Sequence, residues 1–270
     1  MLAKEYEPKK HNVVGWYCSE KYDGVRGFWK ASEKKMYSRG GKVYTLPKFI
    51  QEQLSKVKID LDGEIWFGHD TFDICSGAAR KDACDSKVWE NVKYMVFDTP
   101  DLDLEYEDRQ ILINTELKDL KNVDIVKYFI VTKDTDLMKE LKKIEDNKGE
   151  GLMLRKPKSM YEMKKSNCLL KVKSWKFDEA EVIGYDPGDG RLEGMVGSLV
   201  LKHETFGSFK VGTGLVDEIR KELDNEKRVE NKKKNANIPV FGDKITFRYK
   251  ELTKNNIPKM PSYIGIRDYE

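Results

Sequence analysis

A lysine, an acid and an arginine share one six-residue stretch in E-K-Y-D-G-V-R at 20–26: Lys21, Asp23 and Arg26. Their neighbours are aromatic, apolar or glycine, which is the composition of a buried strand and turn. A lysine in that setting could act as a nucleophile, but only as the neutral amine. With an ordinary pKa of about 10.4, neutrality at pH 7 costs about 4.6 kcal/mol. Burial and neighbouring cations offset that cost. A lone lysine at a strand end ordinarily points into water. The D-G-x-R that follows argues for more: Gly24 permits a tight turn with positive φ, and Arg26 returns a bidentate phosphate binder to the lysine.

Three further segments carry charge in patterned positions. In I-D-L-D-G-E-I at 59–65, Asp60, Asp62 and Glu64 alternate, so a strand puts all three on one face, with Ile59, Leu61 and Ile65 on the other. Three carboxylates on one face need a cation or hydroxyls opposite, or else an edge facing water. Glu150 stands between two glycines ahead of an apolar run, L-M-L. Lys171 and Lys173 are two apart in L-K-V-K and share a strand face. Two such lysines repel unless an anion lies between them, and a triphosphate or a nucleic-acid backbone fits that need.

The elements that must position these groups are mostly short strands. Alternating runs rich in Val, Ile, Tyr, Phe and Trp predict strands at 15–22, 25–31, 35–39, 59–67, 92–98 and 126–132. Helical spacing appears from Pro47 through residue 57, at 106–120 and at 135–146. Helices and strands do not alternate regularly, so the expectation is α+β rather than a doubly wound sheet. After residue 174 the pattern changes to strands broken by glycine turns, with one helix predicted over 215–227. Some ninety residues of that kind suit a small β-barrel such as an OB-fold. Domains are expected at 1–174 and 175–270, and E-N-K-K-K-N-A-N at 230–237 reads as a solvated loop.

Composition narrows the class. The 270 residues are 36% charged yet carry a net charge of only +3, so overall charge does not announce a nucleic-acid binder. Residues 150–176 are locally basic, with eight Lys or Arg against two acids. Cys18, Cys75, Cys84 and Cys168 form no C-x-x-C pair, which argues against structural zinc and a disulfide scaffold and fits a reducing, cytoplasmic setting. No apolar run reads as a secretory signal or a membrane span.

Taken in order, E-K-Y-D-G-V-R at 20–26, S-R-G at 38–40, D-G-E at 62–64, Y-M-V-F-D at 94–98, E-G-L-M at 150–153 and L-K-V-K at 170–173 resemble the covalent nucleotidyltransferases: DNA ligases, RNA ligases and capping enzymes. Each motif is weak alone, but six in order across nearly the whole chain are specific. The later G-S-L-V, G-T-G and P-S-Y-I-G-I-R resemble the OB domain of minimal ATP-dependent DNA ligases. The resemblance implies an α+β nucleotidyltransferase (adenylation) domain followed by an all-β OB-fold domain.

It also implies roles. Lys21 would take AMP from ATP as a covalent adduct. Glu20 would lie where backbone groups read the adenine edge, and Phe97 would stack on the base. Arg39 and Glu64 would touch the ribose, and Arg26 a phosphate. Glu150, with Glu64, would hold magnesium, or manganese in its place. Lys171 and Lys173 would clamp the α-phosphate, and Arg267 would meet the outgoing pyrophosphate. The implied partner is nicked duplex DNA, taken by a monomer. Only twenty residues precede Lys21, too few for the extra domain of NAD-dependent relatives, so ATP is expected.

Two departures stand out. The chain ends I-R-D-Y-E, without the lysine of R-x-D-K, and a short turn replaces the latch insertion of some viral relatives. DNA contact would then fall to domain surfaces. The strip R-K-P-K-S-M-Y-E-M-K-K at 155–165 reads equally as such a contact or as a solvated loop. The alternatives in view are an RNA ligase or capping-type guanylyltransferase with the same lysine chemistry, and a non-catalytic nick-binding module.

Overall fold

A computed structural model describes residues 1–81 and 87–267, so Cys84 and the last three residues of I-R-D-Y-E lie outside the described residues. The chain divides into two compact units, Met1–Lys173 and Ser174–Glu270.

The first unit is built on two five-stranded sheets. One runs in the order β1 (Leu2–Glu5), β10 (Lys165–Val172), β9 (Leu152–Arg155), β2 (Tyr17–Glu20), β8 (Tyr128–Ile130). It is antiparallel except for β1, which pairs parallel with β10. The other runs β4 (Lys35–Ser38), β3 (Val25–Lys30), β5 (Leu61–Trp66), β6 (Lys93–Asp98), β7 (Val123–Ile125). Each sheet buries one face against helices. Trp29, Leu61, Ile65 and Val96 meet Ile50 and Leu54 of α1 (Lys48–Leu54) and Ile113 of α3 (Tyr106–Glu116). Cys18, Leu152, Leu170 and Val172 meet Leu137 and Leu141 of α4 (Asp134–Asp146). All three expected helices form where apolar residues recur at helical spacing. A fourth helix, α2 (Phe72–Arg80), has no such large apolar spacing; it buries the small residues Cys75, Ser76, Ala78 and Ala79.

The second unit is a five-stranded barrel in the order β13 (Gly207–Val211), β12 (Val196–His203), β11 (Lys176–Pro187), β14 (Lys244–Tyr249), β15 (Ser262–Ile266). It closes just past β13, where the Tyr263 N–H donates to the Thr213 carbonyl at 2.8 Å. The alternating residues Leu199, Leu201, Val211, Ile245 and Phe247 fill its interior. Residues 188–195 alone join β11 to β12.

The single helix expected at 215–227 is broken into α5 (Asp217–Arg220) and α6 (Asn225–Lys232). Glu222 takes a left-handed φ of 75°, and the Asp224 side chain caps the second helix by accepting from the Lys227 N–H. Arg228, fully buried, donates to the freed carbonyls of Lys221, Glu222 and Ile219, and so stabilises the break. Residues 230–232, expected in a loop, are the end of α6.

Candidate active site

The cavity of interest lies between the two sheets of the first unit. On the first sheet, cross-strand register sets Tyr17, Arg155 and Leu169 in one row and Ser19, Met153 and Lys171 in the next. Directly opposed residues point to one face. One step further along, β2 has ended and the chain crosses to the second sheet through residues 21–24. Lys21 is the first residue of that crossing. Its N–H donates to the Gly151 carbonyl at 2.9 Å. Gly151 has φ +146°, and a Cβ there would overlap the Val172 carbonyl and press on Lys173. Glycine is therefore what brings Lys21 and Lys173 to either side of Glu150. The Lys21 Nζ is paired with one oxygen of Glu150, and the Lys173 Nζ lies 2.5 Å from the other.

Lys171 and Lys173 do share a face, but they do not share an anion. Lys173 takes Glu150, whereas Lys171 takes Glu5 of β1 at 2.8 Å. Asp60, Asp62 and Glu64 are likewise parcelled out. Asp60 accepts from the Ala31 N–H at 2.8 Å, and Asp62 takes the fork of Arg26. Glu64 stands in register with Arg26 and is half-buried. Burial pushes its carboxyl from the ordinary 4.5 up to about 8; Glu150 and Asp62 add to the rise, and Lys21 and Arg26 oppose it.

Gly24 does not have positive φ, contrary to expectation. Its requirement is space: a Cβ there would overlap the Ile65 carbonyl oxygen and touch Glu64. Arg26 is not an open phosphate fork either. Its Nε and Nη2 donate to the two Asp62 oxygens at 2.8 and 2.6 Å, and its Nη1 donates to the Met1 carbonyl at 2.9 Å. Its guanidinium lies 6.0 Å from the Phe97 ring centre.

A cavity of about 230 Å³ brings Glu20, Lys21, Arg26, Glu64 and Phe97 together. Strand alternation turns the Glu20 carboxylate away from the face of Ser19 and Lys21, and it meets the His69 Nε2 at 2.6 Å. Arg39 is not in this cavity. It lines a neighbouring cleft of about 610 Å³ with Lys30 and Tyr37, so the structure separates it from Glu64. The two spaces share Met1, Leu2 and Arg26. Arg267 belongs to the second unit, where it pairs with Glu179.

Sequence reasoning missed a second buried charge cluster. Asp98 accepts from the Arg109 Nε at 2.7 Å and the Arg155 Nη2 at 2.8 Å, with all three side chains almost fully buried. Arg155, the first residue of the strip read equally as a DNA contact or a solvated loop, is thus a core residue. The available signal was its place at the end of the apolar run L-M-L, where the next alternating position faces inward.

The family described as ATP dependent DNA ligase domain matches residues 1–173. The chain belongs to this family. The DNA ligase OB-like domain family matches residues 187–267. A DNA ligase of Haemophilus influenzae is 29% identical over 253 residues, which is 93% of this chain and 86% of that protein. A solved Lig E DNA ligase, described as binding DNA with a minimal scaffold, superposes with a TM-score of 0.80 at 27% identity over 98% of both chains. The Chlorella virus DNA ligase-adenylate, at 23% identity, shares the fold with a TM-score of 0.54 over 100% of this chain and 98% of that one. The enzyme is an ATP-dependent DNA ligase, an adenylation domain followed by an OB-fold domain. The RNA-ligase, capping and non-catalytic alternatives fall away.

Proposed function

We propose that the enzyme seals 5′-phosphate/3′-hydroxyl nicks in duplex DNA with Lys21 as its covalent nucleophile. The observation that carries the assignment is the Lys21–Glu150–Lys173 cluster, set where the chain crosses between two sheets, with Lys21 lining the cavity. The Lys21 nitrogen would attack the α-phosphorus of ATP, forming a P–N bond while pyrophosphate leaves with the bonding pair. The nick's 5′-phosphate would then break that bond and take AMP. Attack by the 3′-hydroxyl would release AMP and close the strand.

An ammonium has no lone pair, so the Lys21–Glu150 pair must open first. Once Glu150 turns to another partner, the Lys21 nitrogen is free to face the α-phosphorus. Lys173, and Lys171 on the same face, would meet phosphate oxygens as charge develops there. Phe97 would stack on the base. Arg26, fixed by Asp62, would border the phosphates with its remaining donor. Glu20 would act through its backbone, since its carboxylate is held by His69.

Among the described residues no three His, Cys, Asp or Glu side chains gather as a metal cage. A cage is not needed, because magnesium uses one or two carboxylates and otherwise takes water and phosphate oxygens. Glu64, a carboxyl pushed up by burial and further by its neighbour Glu150, is a donor that a cation would relieve, so the pair fits. Magnesium would neutralise charge on the transferring phosphate.

The test is mass spectrometry of the protein after incubation with ATP and magnesium. Wild type should gain one AMP on Lys21, and Lys21→Ala should gain none while still binding nicked duplex. AMP on another residue, or an adduct in the variant, would overturn the assignment.

A further inference from the structure

The wall shared by the nucleotide cavity and the Arg39 cleft is held by a side chain from outside both sheets. Tyr161 lies on the connection 156–164, between β9 and β10 of the first sheet. Its hydroxyl donates to Asp62 of the second sheet at 2.7 Å and accepts from the Arg26 Nη2 at 3.3 Å. The residue is buried, and its ring lies beneath the Arg109 guanidinium at 5.8 Å. The Arg109 Nη1 in turn donates to the Ser159 carbonyl at 2.9 Å. The connection is thereby tied to the second sheet at Tyr161 and to α3 at Ser159.

We propose that Tyr161 is a positioning residue for Arg26, acting through Asp62, and that it thereby sets the wall Arg26 presents to the nucleotide phosphates. The inference rests on the role given to Arg26 above. Asp62 is nearly inaccessible to water and receives three strong donations: two from Arg26 and one from Tyr161. With the tyrosine donor present, the carboxylate is satisfied in one orientation, and Arg26 is held flat along it with one Nη1 hydrogen left for substrate. Without that donor, Asp62 depends on Arg26 alone. The guanidinium must then follow the carboxylate wherever it turns, and the free hydrogen loses its aim. Among the described residues the Tyr161 hydroxyl bonds Asp62 and Arg26 and neither Lys21 nor Glu150, so its effect passes through Arg26.

A double-mutant cycle on the full chain tests this, read as kcat and KM for ATP in formation of the covalent adduct, with thermal unfolding alongside. Tyr161→Phe keeps the ring and its packing on Arg109 and removes only the hydroxyl. It should lower kcat/KM about tenfold, the kinetic equivalent of one hydrogen bond to a charged group. In an Arg26→Ala background the same change should cost less than about twofold, because the group it positions is gone. A loss of the same size in both backgrounds, or no loss in wild type, would overturn the proposal. Full activity of Arg26→Ala alone would instead sink the role assigned to Arg26 and leave Tyr161 as a packing residue.

Discussion

Replacing Glu64 with glutamine probes the electrostatics of the cavity without touching Lys21. Burial raises this carboxyl from 4.5 to about 8, the neighbouring Glu150 and Asp62 contributing and Lys21 and Arg26 opposing. Between those values the folded chain holds a proton that the unfolded chain lacks. Stability from that proton is complete below pH 4.5 and is lost as pH rises through 8. The whole loss is roughly 5 kcal/mol, at 1.36 kcal/mol for each pH unit between the two values. Glutamine fills the same space and has no such proton to lose. Urea unfolding of both proteins in EDTA, from about pH 5 to about pH 9, should therefore show the variant gaining on the wild type by several kcal/mol. The difference should level off once the pH passes 8. Adding magnesium near pH 8 should stabilise the wild type more than the variant, because a ligand that binds only the folded state adds to its stability. Unfolding curves that stay parallel across the range would mean that Glu64 ionises as an ordinary carboxyl. The picture of a half-buried, crowded acid beside Lys21 would then be wrong.

Gly151→Ala should lower stability by about 3 kcal/mol and slow adduct formation at least tenfold, since its φ is unsuited to a side chain and its Cβ would displace the Val172 carbonyl beside Lys173. Wild-type melting and labelling in that variant would refute the close approach. Arg228→Ala should destabilise the second unit by about 3 kcal/mol, leaving the carbonyls of Ile219, Lys221 and Glu222 without a donor at the break between α5 and α6. A shift below about 0.5 kcal/mol in denaturant titration would show that the break holds itself.

How much of this was legible in the chain depended on distance along it. The strand and turn at residues 20–26 were readable because lysine, glycine and arginine are neighbours in sequence and their chemistry is local. Lys171 and Lys173 were readable as a same-face pair because strand alternation is a rule of two residues. Their actual partners were not, since Glu5 and Glu150 reach them from β1 and from the turn before β9, and no local pattern reports a parallel pairing between residues 5 and 171. Gly24 shows the same limit in miniature: its sequence context gave the glycine, while the reason for it is the carbonyl of Ile65, forty-one residues away. Tyr161 and Arg155 sat inside a stretch whose lysines dominate any count of charge. Only the fold separates the residues that turn inward from those that do not. α2 escaped because it packs through small residues, which leave no large-apolar rhythm.

The placement of charge in the first unit follows a division of labour. Arg26, Asp62, Asp98 and Arg109 lie within strands or a helix, are forked or doubly bonded, and are almost closed to water except for part of Arg26. A group held by two bonds in a dry interior cannot exchange partners without leaving a buried charge unpaired, which costs several kcal/mol. Such residues can set geometry but cannot follow a reaction. Lys21, Glu150 and Lys173 all lie just beyond strand ends, where neighbouring strands no longer fix the side chain. Glu150 and Lys173 keep only 12% and 11% of their side chains exposed, so each changes partner only as an incoming phosphate or cation takes the vacated place. A nucleophile that pairs with Glu150 at rest and must leave it to carry the adduct needs that exchange. The crossing between two sheets supplies it while the rigid groups hold the walls, so the lysine of E-K-Y-D-G-V-R stands where the strands stop.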